Sequence, residues 1–245
     1  MARYQVILAY DGTDFRGYQR QGKGRTVQSE LEAALHGLNW QGRSILSAGR
    51  TDTGVHASGQ VAAFDLEWEH SEETLVRALN AKLPADMAVR SARQTRADFH
   101  PRFDALARSY QYRLFCQPER DPLRCRFAWR VWPAPDLALL RSAAQPLVGS
   151  RDFAALGSPM TPGGSTIREI FSTAWQPEGD GFVFTVSANA FLYRMVRRMV
   201  FLQLLVGQGR LTLEAFIEGL ERQRSLPPGL AQPAGLTLVE VRYAE

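Results

Sequence analysis

The chain has 245 residues, 45% of them hydrophobic, which is enough to bury a core as one large domain or two modest ones. A formal net charge of +4 and a pI near 9.3 lean toward an acidic partner such as nucleic acid. Cys116 and Cys125 are too few and too oddly spaced for a disulfide scaffold or a four-ligand zinc site, and the longest apolar run, Met199 to Val206, is broken by Gln203 and far too short to span a bilayer, so a soluble cytoplasmic protein is expected.

In chain order, "RYQVILAY" combines β-branched and aromatic residues and runs as a strand into the turn Asp11-Gly12. A loop rich in glycine and polar residues continues to Arg25. Thr26 caps a helix whose apolar positions Val27, Leu31, Ala34, Leu35 and Leu38 share one face. "AGRTDTGVHASGQVAAF" follows, with Val61, Ala63 and Phe64 entering a second strand. Ser71 starts the helix "EETLVRALNAKL", which Pro84 closely follows, and "MAVRSARQT" and "ARSYQYRLF" read as strands. A helix near "PDLALLRSAAQPLVG" precedes the loop "GSPMTPGGST". The strands "IREIFSTAW" and "FVFTVSA" flank Glu178-Gly179-Asp180-Gly181 as a hairpin. A strongly apolar helix runs from about Ala190 to Val206, a shorter one starts at Thr212, and "GLTLVEVRY" closes the chain as a strand. Strands and helices mix without strict alternation, which predicts an α+β fold with largely antiparallel sheets flanked by helices. The repetition suits two lobes, 1–105 and 106–245, joined around residues 100 to 108.

Asp52 is the first candidate for chemistry. In "RTDTG" it closes an Asx-type turn, serves as half of an aspartic-protease dyad across a dimer, or acts as a lone nucleophile. Arg50, two residues away, favours the ionised carboxylate and opposes a shared-proton dyad. In "NAFLYRMVRRMVFLQLLVG", apolar residues surround much of the helix while Arg194, Arg197 and Arg198 cluster on one sector. A solvated stripe accounts for Arg194 and Arg198, whereas a buried arginine needs a carboxylate such as Asp52. Tyr110 and Tyr112 alternate on one strand face, as core or as a platform on which a nucleobase stacks. With four histidines and no metal-like spacing, His56 and His100 read as local hydrogen-bonding groups. The glycines of "YDGTDFRGYQRQGKGR" match no phosphate-binding fingerprint, and Arg16, Arg20, Lys23 and Arg25 make this loop either an RNA-facing edge or an ordinary solvated one.

Together these stretches resemble the tRNA pseudouridine synthase A family. "YDGTDFRGYQRQ", "AGRTDTGVHASGQVAAF", "DFHPRFDALARSYQYRLF", "REI", "NAFLYRMVRRMV" and "PAGLTLVEVRY" occur in the family's order over nearly the whole chain. The resemblance implies the pseudouridine synthase fold and isomerisation of uridine to pseudouridine in the anticodon arm of tRNA, at positions 38, 39 and 40. It implies no metal and no cofactor, a homodimer, and no membrane. It makes Asp52 the catalytic aspartate, with Arg50, Tyr110 and Arg197 as substrate-binding residues; Tyr110 packs against the target base and Arg197 pairs with the carboxylate. On this reading lobe 1–105 carries Asp52, and lobe 106–245 carries Tyr110 and Arg197. Two positions depart from the family's pattern. Tyr18 stands where tryptophan is usual, and Phe201 stands where "MVRxxxG" has glycine, placing a bulky ring at a close-packed helix position.

Overall fold

The runs read from the sequence form, in chain order, β1 (Ala2–Tyr10), α1 (Val27–His36), β2 (Leu46–Ser47), β3 (His56–Leu66), α2 (Glu72–Asn80), β4 (Met87–Thr95), β5 (Ala105–Phe115), β6 (Trp129–Arg130), α3 (Leu137–Ala144), β7 (Gly149–Asp152), β8 (Ile167–Glu178), β9 (Gly181–Ala188), α4 (Met195–Gly207), α5 (Leu213–Leu220) and β10 (Leu236–Tyr243). The structure, a computed structural model, describes residues 1–221 and 224–244. Four helices start at a side-chain cap: Thr26, Ser71, Asp136 and Thr212 each accept a backbone N–H of the first turn, and Thr26 and Ser29 do so reciprocally. The fifth, α4, has no such cap and begins at Met195 rather than near Ala190. Arg194 sits in the left-handed region at φ 62°, and the Tyr193 N–H donates to the Ser158 carbonyl at 2.9 Å, so a long-range bridge occupies the backbone that would have made the extra turn.

Two compact units result, Met1–Leu106 with the residues from Thr237 onward, and Ala107–Leu236. The closing strand, assigned from the sequence to the second lobe, therefore belongs to the first unit's sheet. Gly59 explains the approach: a Cβ there would lie 2.1 Å from the Val239 carbonyl oxygen.

In the first unit β1 lies between β3 and β4, antiparallel to both, and β2 adds antiparallel to β3. β10 pairs parallel with β3 through Thr237 and Leu238. Val6 and Leu8 from β1, Leu31 and Leu35 from α1, and Leu75 and Leu79 from α2 are all fully buried, each contributing on the order of 1.5–3 kcal/mol.

In the second unit the order is β5–β9–β8–β7, all antiparallel, with β6 added parallel to β5. The β8–β9 hairpin turns at Gly179, whose φ of 59° suits glycine. Its core is organised around Trp175, which stacks at a tilt on Phe184 at 5.0 Å and donates its indole N–H to Gln203 Oε1 at 2.8 Å. Gln203, the break in the apolar run, is fully buried and donates in turn to the Met199 carbonyl, so α4 carries a satisfied polar group inside the core. The α+β expectation with largely antiparallel sheets holds. The strands β2, β6 and β7 are too short, at two, two and four residues, to show an alternating pattern in the sequence.

Candidate active site

Asp52 lies in the loop that leads into β3, half-buried, between the buried Thr51 and the exposed Thr53; Arg50 is exposed. The loop is fastened at many points. The Val55 N–H closes a turn on the Asp52 carbonyl at 3.1 Å, and the Tyr18 N–H donates to the Thr51 carbonyl at 3.0 Å. Thr51 Oγ1 bonds the Tyr10 hydroxyl at 2.8 Å, and Gln60 Nε2 donates to the Gly49 carbonyl at 3.1 Å.

The preceding "YDGTDFRG" segment packs directly on this loop, and its glycines are needed for contact rather than for phosphate binding. A Cβ on Gly12 would lie 2.0 Å from the Val55 oxygen, and one on Gly17, at φ 82°, would lie 2.9 Å from the Thr51 oxygen. His56 completes the seam. It is buried, and its Nδ1 lies 2.9 Å from the Gly12 N–H. The Asp11 carboxylate stands 3.2 Å from the same nitrogen. The ring is thus a local hydrogen-bonding group, as expected; His100 Nδ1 likewise accepts the Arg102 N–H.

The basic loop is partly committed to other partners. Arg20 bonds Glu32 at 2.6 Å, and Arg25 bonds both carboxylate oxygens of Asp86 and one of Glu30 while covering the Phe15 ring at 4.3 Å. Arg16 and Lys23 stay exposed. Tyr18, the first departure, is buried beside Ser47, and its hydroxyl has no hydrogen bond of acceptable geometry among the described residues. Burial pushes its pKa well above the ordinary phenol value.

The second unit carries Tyr110 and Arg197. Tyr110, on β5 opposite Val186, is half-buried and meets Phe191 edge-to-face at 5.2 Å. Tyr112 shares its strand face but not its exposure: it is fully buried and donates to the Gln232 carbonyl at 2.7 Å. The half-buried Arg197 donates Nε–H to the Ala231 carbonyl at 2.9 Å, and the Ala231 N–H returns to the Arg197 carbonyl at 3.2 Å. Arg194 is exposed above the Tyr193 ring, as a solvated position should be. Arg198 departs from that expectation. It is half-buried and donates to the Gly229 and Leu226 carbonyls, so it tethers the 226–229 segment to α4, and burial lowers its pKa.

Tyr10, Thr51, Gln60, Gly12 and Gly17 all shape this loop, and none of them carries a reactive-group pattern in the sequence. A glutamine inside the apolar run "GQVAAF" is the one signal the sequence carries for them.

A family profile described as tRNA pseudouridine synthase matches residues 6–104 and 143–244. The chain belongs to the tRNA pseudouridine synthase family. It is therefore an isomerase, and both the protease and the noncatalytic readings fall. The matched segments contain Arg50, Asp52 and Arg197, while Tyr110 lies in the interval between them. The tRNA pseudouridine synthase A of Chloroflexus aurantiacus is 41% identical over 99% of this chain and 89% of its own length. Those of Shouchella clausii and Paraburkholderia phymatum are 39% and 38% identical over 100% of this chain and 95% and 92% of theirs. No helix among the described residues is long and apolar enough to cross a membrane.

Proposed function

We propose that the protein isomerises uridine to pseudouridine in the anticodon arm of tRNA, at positions 38, 39 and 40, with Asp52 as the catalytic residue. The observation that carries this reading is the Asp52 loop itself: a half-exposed carboxylate on a backbone bonded at residues 49, 51 and 52, next to an exposed arginine. A rigid carboxylate on the surface of one unit suits a large substrate whose target base is flipped out toward it.

The reaction breaks the bond from the ribose C1′ to uracil N1 and forms one from C1′ to C5. N1 gains a proton and C5 loses one, so neither a redox partner nor an imported group is needed. Ionised Asp52 attacks C1′, removes a ribose proton to give a glycal, or adds to the uracil ring. Arg50 and Arg197 bind the substrate as permanent cations, a charge that suits its phosphates. Tyr110 offers a ring to the flipped base. The protein works in the cytoplasm as a homodimer, without metal or cofactor.

The test is tritium release from C5 of uridines in a labelled tRNA transcript. Wild type should release it and Asp52→Asn, which keeps the shape and removes the charge, should not. A transcript with other bases at positions 38, 39 and 40 should release none. Near-normal single-turnover release by Asp52→Asn would sink the assignment, and release from the substituted transcript would sink the choice of site.

A further inference from the structure

Gln60 is fully buried in a strand of valine, alanine and phenylalanine, a costly place for an amide unless every polar atom is matched. Here every one is. Its Oε1 accepts the Val61 N–H at 3.1 Å, which fixes which end of the amide is which. Its Nε2 then donates to the Gly49 carbonyl at 3.1 Å and, at 3.5 Å, to the Tyr10 hydroxyl oxygen. The Tyr10 hydroxyl and Thr51 Oγ1 in turn share a hydrogen bond of 2.8 Å, in which either oxygen can be the donor. Tyr10 is itself buried, and burial pushes its pKa up to about 12, so its hydroxyl stays protonated at any working pH.

Gly49 and Thr51 flank Arg50, and Thr51 immediately precedes Asp52. One chain of hydrogen bonds therefore grips the loop on both sides of Arg50 and ends one residue short of the carboxylate. We propose that Gln60, Tyr10 and Thr51 form a positioning relay that fixes the direction in which Asp52 leaves the backbone, and hence the angle at which it meets the target nucleoside. Tyr10 and Gln60 are buried and do not touch substrate; they act through Thr51 and Gly49. The inference rests on Asp52 being the catalytic residue, since only then does its aim govern the chemical step. Small errors of aim are expensive there, whereas tRNA affinity, spread over many phosphate contacts, barely depends on it.

Tyr10→Phe keeps the ring and removes the relay's middle atom. Single-turnover tritium release should slow roughly 10- to 100-fold, with tRNA affinity and KM within about twofold of wild type. Thr51→Val should give the same loss, the double variant no more than either alone, and Thr51→Ser, which keeps the hydroxyl, near-wild-type turnover. Should Tyr10→Phe fail to fold, judged by its thermal unfolding, the Thr51→Val and Thr51→Ser pair makes the same comparison. A Tyr10→Phe protein with wild-type turnover, a loss confined to KM, or fully additive losses would overturn the relay. Asp52→Asn belongs in the same series. If it is silent while Tyr10→Phe is normal, only the relay fails; if Asp52→Asn itself turns over, the reading beneath the relay fails with it.

Discussion

The ring of Phe201 rests on the backbone of Gly229, so closely that a Cβ on Gly229 would lie 2.3 Å from the Phe201 Cζ. The loop glycine, with no Cβ, leaves room for the ring that α4 carries at this position. Arg198, one turn earlier on α4, reinforces the contact by donating to the Gly229 carbonyl at 3.0 Å.

Gly229→Ala should therefore destabilise the protein by about 1–3 kcal/mol, from ring overlap and from a φ of 142° that suits glycine. In a Phe201→Ala background the overlap disappears and only the backbone part, about 1 kcal/mol, should remain. Urea unfolding of the four proteins measures both costs. Equal costs in the two backgrounds would show that the ring contact contributes nothing.

Tyr18→Phe should leave stability unchanged or raise it by up to about 1 kcal/mol, because it deletes a buried hydroxyl that has no well-formed hydrogen bond. The Tyr18 backbone N–H, which holds the Thr51 carbonyl, is untouched by the change. Thermal unfolding and turnover are the readouts, and a loss above about 1 kcal/mol would mean the hydroxyl is satisfied after all.

These two positions also show what the sequence makes legible and what it leaves hidden. Asp52 and Arg50 are visible because a charged motif beside a glycine turn is local chemistry, and β1 or the β8–β9 hairpin because their signals are local patterns. The start of α4 is not local: it is decided by Ser158, far back in the chain, capturing the Tyr193 N–H. The membership of β10 is decided by the missing side chain of Gly59. Tyr10 and Gln60 sit at positions that strand alternation assigns to the core, so their polar ends disappear into a pattern read for apolar spacing. Arg198 looks like a surface stripe until the 226–229 carbonyls it holds are known.

The Arg25–Asp86 pair sets an acid limit on the first unit. Both carboxylate oxygens accept from the guanidinium, at 2.6 and 2.7 Å, and this holds the Asp86 pKa below its ordinary value against a smaller opposing effect of burial. A lowered folded-state pKa gives stability that is fully present above the unfolded value near ~3.9 and is lost as pH falls through the folded one. Asp86→Asn should cost about 1 kcal/mol between roughly pH 5 and 8, a figure reduced for the pair's partial exposure, and the difference from wild type should vanish in stronger acid. Urea midpoints across pH check it; a difference that grows toward low pH would reverse the sign of the argument.

Tyr110 separates a stacking role from a proton-transfer role. Its edge-to-face pairing with Phe191 occupies at most one face of its ring and holds the side chain at a fixed tilt. A base stacked on a tyrosine draws on the ring rather than the hydroxyl, typically for about 1–3 kcal/mol. Tyr110→Phe should then stay within about threefold of wild-type kcat/KM, and Tyr110→Ala should lose roughly 10- to 100-fold. Phe191→Leu should fall between them, because it loosens the ring without removing it. Single-turnover tritium release from labelled tRNA reads all three. An inactive Tyr110→Phe protein that still binds tRNA would instead assign the hydroxyl a proton to carry, most simply the one that must leave C5 or reach N1.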